Sequence, residues 1–262
     1  MPEPKHRRKL NAEQLGVLVL LHKFRFGSND LIAQYFGKKD RSFVFKRLKI
    51  LQEQGLIGKR FDSSYRIKGK PAAYYLLPDG ARVLQAHKPD KPINIKAIYK
   101  DKTVSEEFVE YCFRVFGIYC RLKTRYGDNL KFFTKNQLTA YDYFEDFVPS
   151  VYMRLEVKDA EKDYFLEYLQ ESKPFFTVIR RLKEYVEYAD SGEWEAGTDS
   201  EFPTVLFVCD TKKLNARLMK KAAIALDEAD DDLKFYATTP DRLDEWQNIA
   251  DQDEEPVPLA SI

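Results

Sequence analysis

Five side chains between residues 41 and 49 have the types and spacing that nucleic-acid recognition requires. Arg41, Ser42, Phe45, Lys46 and Lys49 fall on one face of a helix if the segment is helical. Arg60 closes the next apolar run, and Arg66, Lys68 and Lys70 recur within a short polar stretch beyond it. Guanidinium and ammonium groups neutralise phosphates, and Arg and Ser can also bond base edges. Phe45 leaves three readings open: a thymine-methyl contact, a dimer contact, or a core residue if the helix is rotated. His22, at helical spacing from apolar neighbours, reads as a packed core histidine.

A second set of chemistry-bearing residues is acidic. Asp142, Glu145 and Asp146 lie on an aromatic-rich run and Glu167 on another. Converging carboxylates could hold a divalent ion, but carboxylates alternating with aromatics also describe a solvated sheet face. There is no Gly-rich phosphate loop, HExxH, GxSxG or metal-spaced Cys/His cluster. Cys112, Cys120 and Cys209 lack CxxC spacing and read as packing residues.

The elements needed to position the basic residues are legible. Asn11 with Gln14 makes a capping box for a helix over 12–24, with Leu15, Leu18, Val19 and His22 at helical spacing. Ser28 caps a short helix over 29–36 whose inward face is Leu31, Ile32, Tyr35 and Phe36. Asp40 caps a third helix to about Gln54, with Val44, Leu48 and Leu51 inward and Gly55 as the terminating glycine. Two extended runs, 56–61 and 71–77, flank a basic segment that reads as the flexible tip of a hairpin, and 78–84 reads as a closing helix. Three helices, a hairpin and a closing helix make a winged helix-turn-helix, whose third helix enters the major groove.

Charge divides the chain. Residues 1–100 carry 22 Lys and Arg against 8 Asp and Glu, a net of +14; the remainder carries 21 against 34, a net of −13. A basic binding module joined to an acidic domain is the expectation. The divisions are a basic arm at 1–9, the winged helix at 10–86, a basic linker at 87–103, an α/β domain at 104–246 and an acidic tail at 247–262, read as disordered. Within the α/β domain, a long helix over 104–125 precedes extended runs at 130–134, 141–147, 151–157 and 164–169. A helix at 175–188, a strand at 203–209, a helix at 214–226 and a strand at 233–237 follow, for an α+β chain with a mixed sheet.

The segments LNAEQLGVLVLLHKFRFGSNDLIAQYFG, RSFVFKRLKILQEQGLIGKR and AAYYLLPDGARVL resemble the N-terminal domain of the replication-relaxation family of plasmid and mobile-element proteins. That resemblance implies a C-terminal domain similar to a PD-(D/E)xK nuclease core. There, an Asp on one strand and a Glu-x-Lys on the next hold a metal and orient water. The match is partial: Pro149-Ser150 stands for the Pro-Asp, and Glu167-Tyr168-Leu169 for the Glu-x-Lys. A degenerate nuclease scaffold without a catalytic set or cofactor is therefore expected, with Asp142, Glu145 and Asp146 as alternative carboxylates.

The functional expectation is sequence-specific binding of double-stranded DNA in replication initiation, mobilisation or transcriptional control. A metal-dependent nuclease and a protein-docking winged helix are the alternatives. A homodimer through the C-terminal domain is left open, and no small-molecule ligand is expected. A hydrophobic fraction of 44% excludes wholesale disorder. The longest apolar stretch, Leu15–Leu21, is far short of a membrane span of about 20 residues. With no signal-peptide pattern, a cytoplasmic protein without membrane contact is expected.

Overall fold

The computed structural model describes residues 10–87, 93–139, 141–144, 147–158, 160–226 and 233–262, without the side chains of 223–225. The expected basic arm lies outside the described residues. The chain divides into two compact units, Met1–Cys120 and Arg121–Ile262.

The first unit opens with α1 (Ala12–Phe24), whose capping box is formed as the spacing predicts: Gln14 N donates to Asn11 Oδ1 at 2.8 Å and Asn11 N to Gln14 Oε1 at 3.0 Å. A two-residue strand, β1 (Phe26–Gly27), leads to α2 (Asn29–Tyr35), capped by Ser28. Next come α3 (Arg41–Glu53), β2 (Ile57–Arg60), α4 (Ser63–Ile67), β3 (Ala73–Leu76) and α5 (Pro78–His87). The strands pair antiparallel in the order β1-β3-β2. This is a winged helix-turn-helix.

Two glycines make the turn into the hairpin possible. Gly55 sits at φ +70° just past α3, a conformation that side chains disfavour. Gly80 lets α5 approach the hairpin so closely that a Cβ would meet Leu56 O at 2.2 Å.

The unit continues past the hairpin. Short α6 (Ile95–Tyr99) precedes α7 (Glu106–Tyr126), and Ile98 and Asp101 are buried. Residues 93–103 therefore pack against the winged helix, where the sequence suggested a linker. Arg25, at φ +65°, turns the chain from α1 into β1 and donates from Nε to Asp101 Oδ1 at 3.0 Å. Phe24 stacks on Phe116 of α7 with ring centroids 4.3 Å apart, and Phe26, Ala73 and Tyr75 bury against Val109 and Cys112. The hairpin thus has α7 on its back. All four residues of β3 are buried because both of its faces are covered.

Three local expectations are corrected. α1 buries Val17, Leu18, Leu20, Leu21 and Phe24, while Leu15, Val19 and His22 are half-buried, because the helix is apolar nearly all round. Tyr35 is exposed and stacks on Tyr119, leaving Ile32 and Ala33 to fill the core. The hairpin tip is no flexible loop. Asp62 accepts from Ser64 N and Tyr65 N to cap α4, and Tyr65 is buried beneath it.

In the second unit, β4 (Leu130–Thr134), α8 (Lys135–Leu138), β5 (Val151–Val157) and β6 (Ala160–Leu169) are followed by α9 (Phe175–Asp190) and α10 (Glu193–Thr198). Then come β7 (Thr204–Cys209), α11 (Lys212–Leu226), β8 (Phe235–Thr238) and β9 (Gln247–Asn248). The six strands form one mixed sheet in chain order. β6, β7 and β8 run parallel, and the outer pairs are antiparallel. One face, with Phe165, Val205, Phe207 and Phe235, buries against Val178, Leu182 and Tyr185 of α9 and Leu214 and Leu218 of α11. The parallel steps need exactly such crossover helices.

The run 141–147 is not a strand among its described residues: Asp142–Phe144 is a 3₁₀ turn. Its aromatic residues fold inward, Phe144 and Phe147 onto Tyr188 and Tyr143 edge-on to Trp194, and that packing overrides β propensity. The end of the chain is ordered where the sequence suggested disorder. β9 extends the sheet, Trp246 and Val257 exchange backbone hydrogen bonds, and Tyr164 Oη donates to the carbonyl of buried Leu259.

Candidate nucleic-acid interface

The stripe Val44, Leu48 and Leu51 is fully buried, which turns the opposite face of α3 outward. Arg41, Ser42, Phe45, Lys46 and Lys49 are all exposed along it. Asp40 holds the first turn: it accepts from Ser42 N at 2.8 Å and Ser42 Oγ at 2.7 Å, and the Ser42 hydroxyl foremost holds the Asp40 carboxyl below its usual range. Ser42 has thus committed its proton and presents its oxygen as an acceptor. Arg41 meets Asp30 of α2 at 3.0 Å, and Asn29 donates to Arg41 O at 3.3 Å, so α2 braces the start of α3. An exposed pair of this kind contributes little and yields readily to a competing anion. Lys49 stands 3.9 Å from Glu53.

Phe45 is 50% exposed, which removes the core reading. It lines a shallow groove with Lys59, Phe61, Pro71 and Tyr74, between α3 and the hairpin. Lys59 Nζ lies 5.0 Å from the Phe61 ring centroid and the Arg66 guanidinium carbon 6.0 Å from it. The sequence reading passed over Lys59. Alternation along β2 hid it: Lys59 falls on the same side as buried Ile57, yet it is exposed toward the end of the strand.

The remaining wing residues are engaged within the protein. Lys68 and Lys70 both donate to Glu106 Oε2 of α7, at 3.2 and 3.1 Å, and Lys70 Nζ is also 2.5 Å from Glu110. Lys70 and Lys68 hold the Glu106 carboxyl below its usual range, while Glu110 and Glu106 raise the Lys70 ammonium. Arg60 Nη1 donates to Val104 O at 2.7 Å. Of the nine basic, polar and aromatic residues singled out by sequence, the five on α3 and Arg66 are exposed and make no bond to α7. Lys68 and Lys70 bond to Glu106 of α7, and Arg60 bonds to Val104 just before it.

Among the described residues the carboxylates of the second unit do not converge. Asp142 is exposed, and Glu145 and Asp146 lie outside the described residues. Glu167 is buried on the α9 side of β6. Its Oε1 accepts from Ser150 N at 3.0 Å, Arg181 Nε at 3.0 Å, Arg181 Nη2 at 2.6 Å and Tyr185 Oη at 2.7 Å, and Ser150 Oγ donates to Oε2. Arg181 also donates to Val148 O. Burial works against the charged carboxyl, but the Arg181 guanidinium and the Ser150 donors outweigh it and hold Glu167 below its usual range. A divalent ion needs free carboxylate oxygens, and here they are taken up by donors, one of them a cation. Glu167 and the described residues around it do not fit a metal. Arg181, missed at the sequence level, fills the place beside Glu167; Lys183, two residues on, is exposed. Among the described residues no group of three His, Cys, Asp or Glu is placed to hold a metal ion.

A winged helix with an outward basic face on its third helix, followed by a mixed-sheet α/β unit, is the class this architecture defines. The chain belongs to the replication-relaxation family, whose sequence pattern matches residues 18–205. No curated protein matches it. Among solved structures, mutants of ZitR from Lactococcus lactis are similar. Two of them share 23% and 22% identity over 48% of this chain and 80% of that chain, with a TM-score of 0.27. A ZitR mutant in complex with DNA is similar at 22% identity over the same shares, also at 0.27. That score is too low to carry a functional argument. Among the described residues no helix is long and apolar enough to cross a membrane.

Proposed function

We propose that the protein is a sequence-specific double-stranded DNA-binding protein of a plasmid, phage or integrated element, acting in replication initiation, mobilisation or control of transcription. The observation that carries the reading is the outward row Arg41, Ser42, Phe45, Lys46 and Lys49, set by the buried Val44–Leu48–Leu51 stripe behind it. Membership of the replication-relaxation family supports it. Arg41 donates to base edges, Ser42 accepts from them, and Phe45 meets a thymine methyl or deoxyribose. Lys46, Lys49, Lys59 and Arg66 neutralise phosphates. The second unit acts as a scaffold and not as a nuclease, because Glu167 is locked to Arg181, Ser150 and Tyr185.

Selection of bound fragments from random duplex DNA tests the reading. A recovered motif, with selective binding to that motif abolished by Lys46→Glu or Lys49→Glu in a chain that still folds, is the expected result. Recovery of no motif, or undiminished binding by both variants, sinks it.

A further inference from the structure

The second unit is strongly acidic, yet one of its helices is purely basic. Residues 121–262 carry 19 Lys and Arg against 30 Asp and Glu, a net charge of −11. Within them α11 carries Lys212, Lys213, Arg217, Lys220 and Lys221 and no carboxylate. The helical period places Lys212, Lys213 and Lys220 opposite buried Leu214, Leu218 and Ala222, with Arg217 and Lys221 flanking that stripe, and all five are exposed. α9 packs alongside: the Arg217 guanidinium carbon is 4.0 Å from the Phe175 ring centroid, and Lys213 Nζ is 3.4 Å from Glu171. α9 extends the surface with exposed Lys183, with Arg180, whose exposed pair with Glu184 at 3.4 Å is a weak one, and with Phe176, which is 65% exposed.

Helix stability does not explain this placement. Lys212 and Lys213 occupy the first turn of α11, where the helix dipole disfavours cations, and that turn has no acidic residue. Nor does internal pairing. Among the described residues, Lys212, Lys220 and Lys221 make no ion pair, in contrast to Lys68 and Lys70 of the wing. A band of five exposed cations about 14 Å long on α11, three of them without an ion pair among the described residues, on an otherwise acidic body, matches an extended polyanion.

We propose that the outer face of α11, extended by Arg180 and Lys183 of α9, is a second DNA-binding surface that grips the duplex backbone without reading bases. It adds to the role of α3 and does not depend on it. The chain then holds duplex DNA at two places, one chosen by sequence and one by charge.

The test uses the full chain in four forms: parent; the α3 variant Lys46→Glu with Lys49→Glu; the α11 variant Lys213→Glu, Arg217→Glu and Lys220→Glu; and both combined. The α3 variant should keep weak binding to any duplex at low salt, and the combined variant should lose it. The α11 variant should keep the parent's base preference. Its log K against log salt should be shallower by ~2–3, at ~0.9 per lost phosphate contact. A milder form, Lys213→Gln with Lys220→Gln, should shift the slope the same way and guards against misfolding, which thermal unfolding also monitors. An α11 variant with the parent's slope overturns the proposal. So does an α3 variant with no residual binding at low salt. Binding to vesicles of anionic phospholipid that depends on α11, with DNA binding unchanged, overturns it in favour of a lipid surface. A parent without base preference but with the α11-dependent slope removes the reading of α3 and leaves this one standing.

Discussion

At the scale of single residues, Glu167 shows what replaces metal chemistry when a carboxylate is closed in. Its oxygens are satisfied by Ser150, Arg181 and Tyr185, and the pair with Arg181 is nearly dry. Removing one member of a buried pair strands the other, at a cost of ~3–5 kcal/mol. Glu167→Ala or Arg181→Met alone should each lower unfolding stability by that order in urea denaturation. Glu167→Gln with Arg181→Met should recover most of it, and a double variant as unstable as the worse single would count against the pairing. Incubation of the parent with supercoiled DNA and Mg²⁺ or Mn²⁺ should give no cleavage. On α3, Arg41→Ala should relax preference at a few base positions, costing ~1–3 kcal/mol each, measured by competition between matched and mismatched duplexes. Uniform weakening over all sequences would move Arg41 from base reader to phosphate contact.

At the scale of elements, the wing is the place where charge in the sequence misleads. Arg66, Lys68 and Lys70 look equivalent as a run. Only the fold reveals that Glu106 and Glu110, some forty residues on, reach back to two of them. Exposed ion pairs are weak, so the effect to look for is competition and not stability. Glu106→Gln with Glu110→Gln frees Lys68 and Lys70. DNA affinity at low salt should then rise and the salt slope steepen by up to ~2, at ~0.9 per added contact. An unchanged slope would mean that these lysines never reach phosphate.

The first three helices were legible because their caps are local: Asn11 with Gln14, Ser28, Asp40 and Gly55 lie within a few residues of what they terminate. β4 and β5 were legible to the residue from alternation alone. What escaped rests on contacts distant in sequence. Asp101 reads as linker without its bond to Arg25, the tail reads as disordered without the pairing of Trp246 with Val257, and nothing in the sequence marks Arg181 as the partner of Glu167.

At the scale of the whole molecule, the two units should answer acid differently. Burial lowers the pKa of His22 in the first unit from its ordinary 6.5. Its neutral form is favoured in the folded state, so its stabilising share is complete above 6.5 and lost as pH falls through the depressed value. Glu167 in the second unit is also depressed, from a much lower starting point. Its share is intact above the ordinary glutamate range and lost only as pH falls through the lowered value. Acidification from neutrality should therefore loosen the first unit before the second. His22→Gln should flatten the decline in urea midpoint between pH 7 and 5, and an unaltered decline would assign it to another group.

The three cysteines are sealed, and each thiol is pushed up to about 12 by burial. Cys112 and Cys120 belong to the first unit and Cys209 to the second. Because the thiolate is the reactive form, an alkylating reagent at neutral pH finds nothing to attack until the surrounding structure opens. The chain thus carries one clock in each half: the rates at which peptides bearing Cys112 or Cys209 gain the label time the opening of each unit. Addition of DNA should slow whichever clock belongs to the unit that it holds closed.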